Sequence, residues 1–265
     1  MSFSTIIAEK KDSVLTITLN RPEVMNAFNL QMISDVSSAL DLAEKDQNIK
    51  VVILTATGKV FCAGADLNEI QGFFEGPYVK SRDFDAFSQT LNKMLCKVEK
   101  LRKPVIAAIN GYALAGGLEL VMVCDLAVCS DHAKLGDQHA NVGLLPASGG
   151  TQRLPRLIGI RKAKELLFTG DMISAREAER LNLVNKVVPK GDLLSAAEEL
   201  AGKIAKKSPL ATESLKGLVN AGMQVDLDTA LQLERGAVVR HHGTDDIREG
   251  INAFLEKRQP VFSGE

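Results

Sequence analysis

Glu119 is the residue of this chain best placed for chemistry. It stands in Gly116-Gly117-Leu118-Glu119-Leu120-Val121, with apolar neighbours on both sides. Burying a carboxylate without a partner is costly. An acid in such a run either faces solvent from an amphipathic helix or is kept for proton transfer, its protonated form favoured and its pKa drawn towards working pH. Just upstream, Asn110-Gly111-Tyr112-Ala113-Leu114-Ala115 leads from a strand-like run into that helix, and Phe61-Cys62-Ala63-Gly64-Ala65-Asp66-Leu67 makes a similar turn earlier. Small residues let a ligand approach the main chain, and free N–H groups at a helix start meet an oxygen bearing negative charge. Two such groups converging form an oxyanion hole. Taken singly, each loop also reads as plain turn geometry. Thr57-Gly58-Lys59 lacks the flanking residues of a Walker sequence and no GxGxxG follows a strand, so the common nucleotide loops are excluded.

These loops need elements to position them. Val14 to Leu19 is rich in β-branched residues and stops at Asn20-Arg21-Pro22, a strand ending in a turn. Leu30, Ile33, Val36, Leu40 and Ala43 put one apolar stripe on a helix from about Leu30 to Glu44. Val51 to Thr55 reads as a buried strand. After a long polar helix ending near Arg102 the order repeats: Pro104 to Ile109 as strand, Leu114 to Val123 as helix, Leu126 to Cys129 as strand. Alternating β and α elements predict an α/β fold with helix-covered sheets. Beyond Pro189 the segments 193–206, 209–222, 227–239 and 247–257 all read as helices. Ser174 with Glu177, and Asp246 with Glu249, have capping-box spacing, while Ser208-Pro209 places an N-cap before Pro at the first helical position.

Composition narrows the function classes. The 265 residues are 45% hydrophobic and 25% charged, enough to bury one or two cores without disulfides or metal. A net charge of -1 with acids and bases scattered offers no basic face for nucleic acid. Cys62, Cys96, Cys124 and Cys129 lack CxxC spacing and are read as small buried hydrophobes, and no apolar leader precedes a cleavage site. A reducing, cytoplasmic setting is expected, and no run is long enough for a membrane span.

The spacing of several motifs resembles the crotonase (enoyl-CoA hydratase/isomerase) superfamily. They are Asn20-Arg21-Pro22 with Asn26-Ala27, Ala63-Gly64-Ala65-Asp66-Leu67, and Lys103 to Ala113 running into Gly116-Gly117 and Glu119. Cys124-Asp125-Leu126, Gly143-Leu144-Leu145-Pro146, Gly149 to Leu154, Thr169-Gly170, Ala175 with Ala178, Gly250 and Phe254 to Arg258 extend the similarity across nearly the whole chain. The resemblance implies a spiral of repeated ββα units over residues 1–195, carrying an acyl-CoA site, and a C-terminal helical module over 196–265 for trimerisation, often as a dimer of trimers. It also implies a thioester carbonyl held by the amides of Ala65 and Gly116. Met25 and the stretch Ala63, Gly64, Ala65, Asp66 and Leu67 would line the coenzyme A path. Lys257 would touch the nucleotide phosphates, from this subunit or a neighbour, unless it is a solvated helix-end lysine. Coenzyme A is then part of the substrate, and neither a separate cofactor nor a metal is expected.

On this resemblance Glu119 matches the first catalytic glutamate of hydratases. The second falls in Gly136-Asp137-Gln138-His139-Ala140-Asn141-Val142-Gly143, where this chain has His139. Imidazole, with an ordinary pKa of about 6.5, can act as acid or base near neutrality. Asp137 could orient it, sharing its face only if the segment is extended. The reaction implied is addition of water to a 2-enoyl-CoA thioester, or its removal, through a stabilised enolate, with Glu119 and His139 as the acid/base pair. An enoyl-CoA isomerase, an acyl-CoA hydrolase and a non-catalytic CoA-binding paralogue are the alternatives. The acyl pocket is expected from about Ile70 to Phe87 and from the C-terminal helices, with Gly72, Gly76 and Pro77 at a mobile entrance.

Overall fold

The computed structural model describes residues 3–73 and 81–265. Gly76 and Pro77 of the expected entrance lie outside them. The chain opens with an antiparallel hairpin of β1 (Ile6–Lys11) and β2 (Val14–Leu19). The strand β2 alternates, with Leu15, Ile17 and Leu19 turned inward. α1 (Leu30–Lys45) begins at Asn29, whose side chain accepts the Met32 N–H and satisfies one of the helix's unpaired donors. Its apolar stripe packs Ile33, Val36, Leu40 and Ala43 inward.

The chain then winds in a repeated order. β3 (Val51–Ala56) leads to β4 (Val60–Cys62), α2 (Leu67–Gln71) and α3 (Ser81–Lys100). β5 (Val105–Ile109) leads to β6 (Tyr112–Leu114) and α4 (Gly116–Val123). β7 (Leu126–Ser130) leads to β8 (Lys134–Gly136), α5 (Gly150–Ile158) and α6 (Ile160–Thr169). The first strand of each turn enters one sheet, β1-β2-β3-β5-β7-β10, and the second enters another, β4-β6-β8-β9. This is the expected ββα spiral. β9 (Ile173–Ser174), α7 (Ala175–Arg180) and β10 (Lys186–Val188) finish the sheets. All pairings are parallel except β1 with β2 and β8 with β9.

Both faces of the larger sheet are covered, which is why β3 and β5 are continuous apolar runs. On one side Leu15, Val52, Leu54, Val105 and Ala107 meet the main core of α1, α3 and α4. On the other, Val51, Ile53, Ile106, Ala108 and Val128 meet Leu193, Ala197 and Ala201 of α8 (Leu193–Ala205). The boundary expected at 195/196 therefore falls inside a helix that packs on the sheet, and the helices that leave the sheet begin with α9 (Pro209–Gly222). α10 (Leu227–His241) and α11 (Asp245–Leu255) follow.

Local signals were met unevenly. Ser174 and Ser208 cap as expected, accepting the N–H groups of Glu177 and Ala211. The Asp246/Glu249 pair does not form a capping box. α11 starts at Asp245, and Asp246 is buried in its first turn, accepting from the Ser208 hydroxyl and the Gly264 amide, while Glu249 is taken by Arg258. Tyr112 to Leu114 is strand, so the helix expected from Leu114 starts at Gly116. Among the described residues no helix is long and apolar enough to cross a membrane.

Candidate active site

β4, β6 and β8 lie side by side and run parallel, with Cys62 opposite Ala113 and Leu114 opposite Gly136. Their C-terminal ends fall in one row. The segments leaving them are Ala63 to Leu67, Ala115 to Glu119 and Asp137 to His139. Three successive turns of the spiral thus bring residues far apart in sequence to one edge.

The first two segments approach through their main chains. A Cβ on Gly117 would stand 2.1 Å from the Cys62 carbonyl oxygen, so only glycine lets α4 start against the end of β4. Gly64 has φ +100°, and a Cβ there would come within 3.0 Å of the Gly116 nitrogen. Between them Ala115 holds φ 48° and ψ -118°, a costly conformation for a residue with a Cβ. It turns the chain sharply into α4. Phe28 pairs with this region by accepting the Asp66 N–H and donating to Gly64 O, both neighbours of Ala65. The amides of Ala65 and Gly116 remain without a backbone acceptor among the described residues. They are adjacent, since a Cβ on Gly116 would lie 3.7 Å from Ala65 N. Two free N–H groups at a helix start form an anion-binding pair.

Glu119 sits one turn into α4 and is 2% exposed. Its Oε1 accepts the amides of Ser148 (2.9 Å) and Gly150 (2.8 Å). Burial raises its pKa, opposed by those amides and by His139. The clamp is itself held: Arg153 donates to Ser148 O at 2.9 Å and pairs with Glu99 at 2.7 Å. His139 opens a short turn, His139–Val142, and its side chain is 14% exposed. Its Nδ1 lies 2.9 Å from Asp137 Oδ1, which also accepts the His139 backbone N–H at 3.2 Å. Asp137 is 1% exposed. The two side chains meet without an extended segment, because the backbone turns at Gln138 (φ -102°, ψ 3°) and the aspartate folds over that turn. Burial opposes charge on the imidazole, but the hydrogen bond and charge of Asp137, aided by Glu119, outweigh it and raise its pKa.

Glu119, His139, Ala65 and Gly116 line one cavity of about 130 Å³. Its walls are otherwise mostly apolar, with Ile70, Phe84, Phe87, Leu91, Val142 and Leu145. Of the expected coenzyme A path, Ala63, Ala65 and Leu67 line this cavity and Gly64 and Asp66 do not. Asp66 caps α2 and is tied to Arg21 at 3.0 Å. Arg21 also donates to Ala27 O, and the buried Asn26 bonds Arg21 N, Thr57 O and Val60 O, so the first motif braces this loop. Met25 accepts the Ala63 N–H through its carbonyl and is exposed beside the loop. Lys257 follows α11 at φ 55° and does not line the cavity. A larger groove, about 1000 Å³, runs between the end of α3, α5 and α9, and none of the four reactive positions borders it. Burial pushes the Cys62 and Cys129 thiols up to about 12, so neither supplies a thiolate near neutrality. Sequence reasoning did not single out Ser148, Gly150 and Arg153 for this role, although Gly149 to Arg153 stood out as a motif.

A spiral with two free amides beside a buried glutamate defines a protein of the crotonase fold. The chain matches the enoyl-CoA hydratase/isomerase family profile over residues 9–265, and it belongs to that family. It is 41% identical to the crotonyl-CoA hydratase of Syntrophomonas wolfei over 263 residues, 99% of each chain. It is also 41% identical to the short-chain-enoyl-CoA hydratase of Clostridium acetobutylicum, covering 98% of this chain and 97% of that one. The crystal structure of an enoyl-CoA hydratase from Bacillus anthracis superposes with a TM-score of 0.94 at 41% identity, covering 99% of this chain and all of that one.

Proposed function

We propose that this enzyme adds water reversibly to a short-chain 2-enoyl-CoA thioester, with Glu119 and His139 as its two proton handlers. The observation that carries this reading is that both side chains line the same small cavity as the two free amides. An enolate oxygen between the amides of Ala65 and Gly116 is stabilised where charge develops. Glu119 uses Oε1 for its clamp, which leaves Oε2 to take a proton from water as the water oxygen bonds to the β-carbon. The electron pair of the double bond moves towards the thioester, and the α-carbon then takes a proton from His139. Burial makes Glu119 a stronger base than an exposed carboxylate. A short acyl chain is supported by the two relatives at 41% identity, a crotonyl-CoA hydratase and a short-chain-enoyl-CoA hydratase.

Turnover against 2-enoyl-CoA and 3-enoyl-CoA thioesters of increasing length, with products identified by mass, tests the reading. Gain of water by crotonyl-CoA is expected. Double-bond migration alone, or release of free CoA, would replace hydration by isomerisation or hydrolysis. Self-association as a trimer or a dimer of trimers is part of the same proposal. It is supported by apolar side chains left exposed on the last helices, including Leu215, Val219, Met223, Leu227 and Phe254. A monomer at micromolar concentration in sedimentation would oppose it. Lys257 contacting the coenzyme A phosphates across such an interface belongs to this proposal too, with a raised KM for Lys257→Ala as its sign.

A further inference from the structure

Asp137 is a buried carboxylate with an unusual set of neighbours. Oδ1 accepts both the ring and the backbone of His139, while Oδ2 is buried with no hydrogen-bond partner among the described residues. His139 is the basic side chain with which it makes an ion pair. Oδ2 stands 3.1 Å from where a Cβ of Gly150 would be, hard against the residue whose amide clamps Glu119. A carboxylate taken out of water needs a counter-ion and hydrogen bonds. Here the imidazolium supplies both.

We propose that Asp137 is a positioning residue that binds His139 through Nδ1 and keeps a proton on Nε2, so that imidazolium faces the substrate as the acid and Glu119 is left as the base. This deepens the hydration reading and rests on it. The proton count closes. Water gives a proton to Glu119 and forms the carbon–oxygen bond, and the enolate takes the Nε2 proton at its α-carbon, leaving neutral imidazole on Asp137. After release of the product, the proton on Glu119 passes through solvent to His139 and restores the resting pair. The charged groups facing His139 are Asp137 on its own turn and Glu119 on α4, and both favour imidazolium. The residues that α3 and the segment after its turn contribute to the same cavity are Phe84, Phe87, Ser88, Leu91, Leu144, Leu145, Ala147 and Ser148, none of which carries a charge.

The chain has four histidines, which makes imidazole NMR on histidine-labelled free enzyme practical, with the His139 signal assigned by its loss in His139→Gln. In the wild type His139 should titrate above the ordinary value of about 6.5, and its neutral form should carry the proton on Nδ1. Asp137→Asn keeps the shape and an oxygen acceptor but removes the charge. It should lower the His139 ionisation, move the basic limb of the kcat profile for crotonyl-CoA hydration to lower pH, and reduce kcat about tenfold to hundredfold, with KM nearly constant. A wild-type His139 titrating at or below the ordinary value would overturn the proposal even if the variant failed to fold. So would superimposable titrations in wild type and Asp137→Asn. Because the titration needs no turnover, it stands apart from failure of the hydration reading, which would show as a wild-type enzyme that does not hydrate.

Discussion

Glu119 and His139 border the same cavity but are held by different kinds of scaffold. Glu119 lies on a helix in which every residue is buried, and its carboxylate is gripped by two backbone amides. Its setting is written in main chain and glycine, so it depends on where strands and turns lie. His139 stands on a short turn with no buried residue, and its ring is held by one side chain, that of Asp137. A clamp of backbone amides depends on where the chain runs, whereas a side-chain clamp can be exchanged by a single substitution. The Glu119 half of the site is therefore fixed by the fold, and the His139 half is where chemistry can be retuned.

The contrast can be broken most severely at Gly117. Gly117→Ala would drive a methyl group into the Cys62 carbonyl, 2.1 Å from its ideal position. Forced overpacking costs about 1–3 kcal/mol or more. Activity should fall to background, and thermal melting should show a Tm lowered by roughly 5–10 °C at about 2–4 °C per kcal/mol. A fully active alanine variant would show that α4 can shift without harm.

Glu119→Gln comes next. It keeps an oxygen for the two amides, so folding and CoA affinity should remain while kcat drops at least about a hundredfold. Crotonyl-CoA kinetics alongside a CoA binding isotherm separates the two effects, and undiminished turnover would remove Glu119 from the mechanism.

On the other arm, His139→Ala should abolish hydration, a loss of at least about a hundredfold. His139→Glu should recover only part of the loss, since it sets a third carboxylate beside Asp137 and Glu119. Adding Asp137→Asn to His139→Glu relieves that repulsion and should raise activity above the single variant. Equal rates in the two would mean that Asp137 does not sense charge at position 139. The smallest effect is expected at Arg153, one step behind the Glu119 clamp. Arg153→Lys should leave Glu99 paired but loosen Ser148, reducing kcat up to about tenfold with KM unchanged. A change in KM alone would place Arg153 in binding instead.

Much of the fold and half of the site are legible in the amino-acid sequence. The runs at β2, β3, β5 and β7 are apolar because they are buried, and each reads as strand. Glu119 stands out because an acid flanked by leucine and valine is costly unless used. The very short strands β4, β6 and β8 are not legible, since three residues carry no periodicity, and yet these align the site. The Asp137–His139 contact escapes a reading based on strand faces because the backbone turns at Gln138. The Arg153 clamp is hidden for a different reason: its effect reaches Glu119 through a carbonyl and two amides, which leave no trace in side-chain type. Asp246 misleads because the spacing of a capping box recurs where the aspartate is buried against Ser208 and Gly264.

The row formed by β4, β6 and β8 also has a consequence for how the enzyme comes into being. These strands are separated by intervening turns of the spiral, and each is too short to persist alone. Their parallel pairing waits on loop closures between distant segments, which are slow compared with local helix formation. The reactive edge therefore depends on the same long-range closures that pair β3, β5 and β7, and in refolding the helical circular dichroism signal is expected to return before hydratase activity.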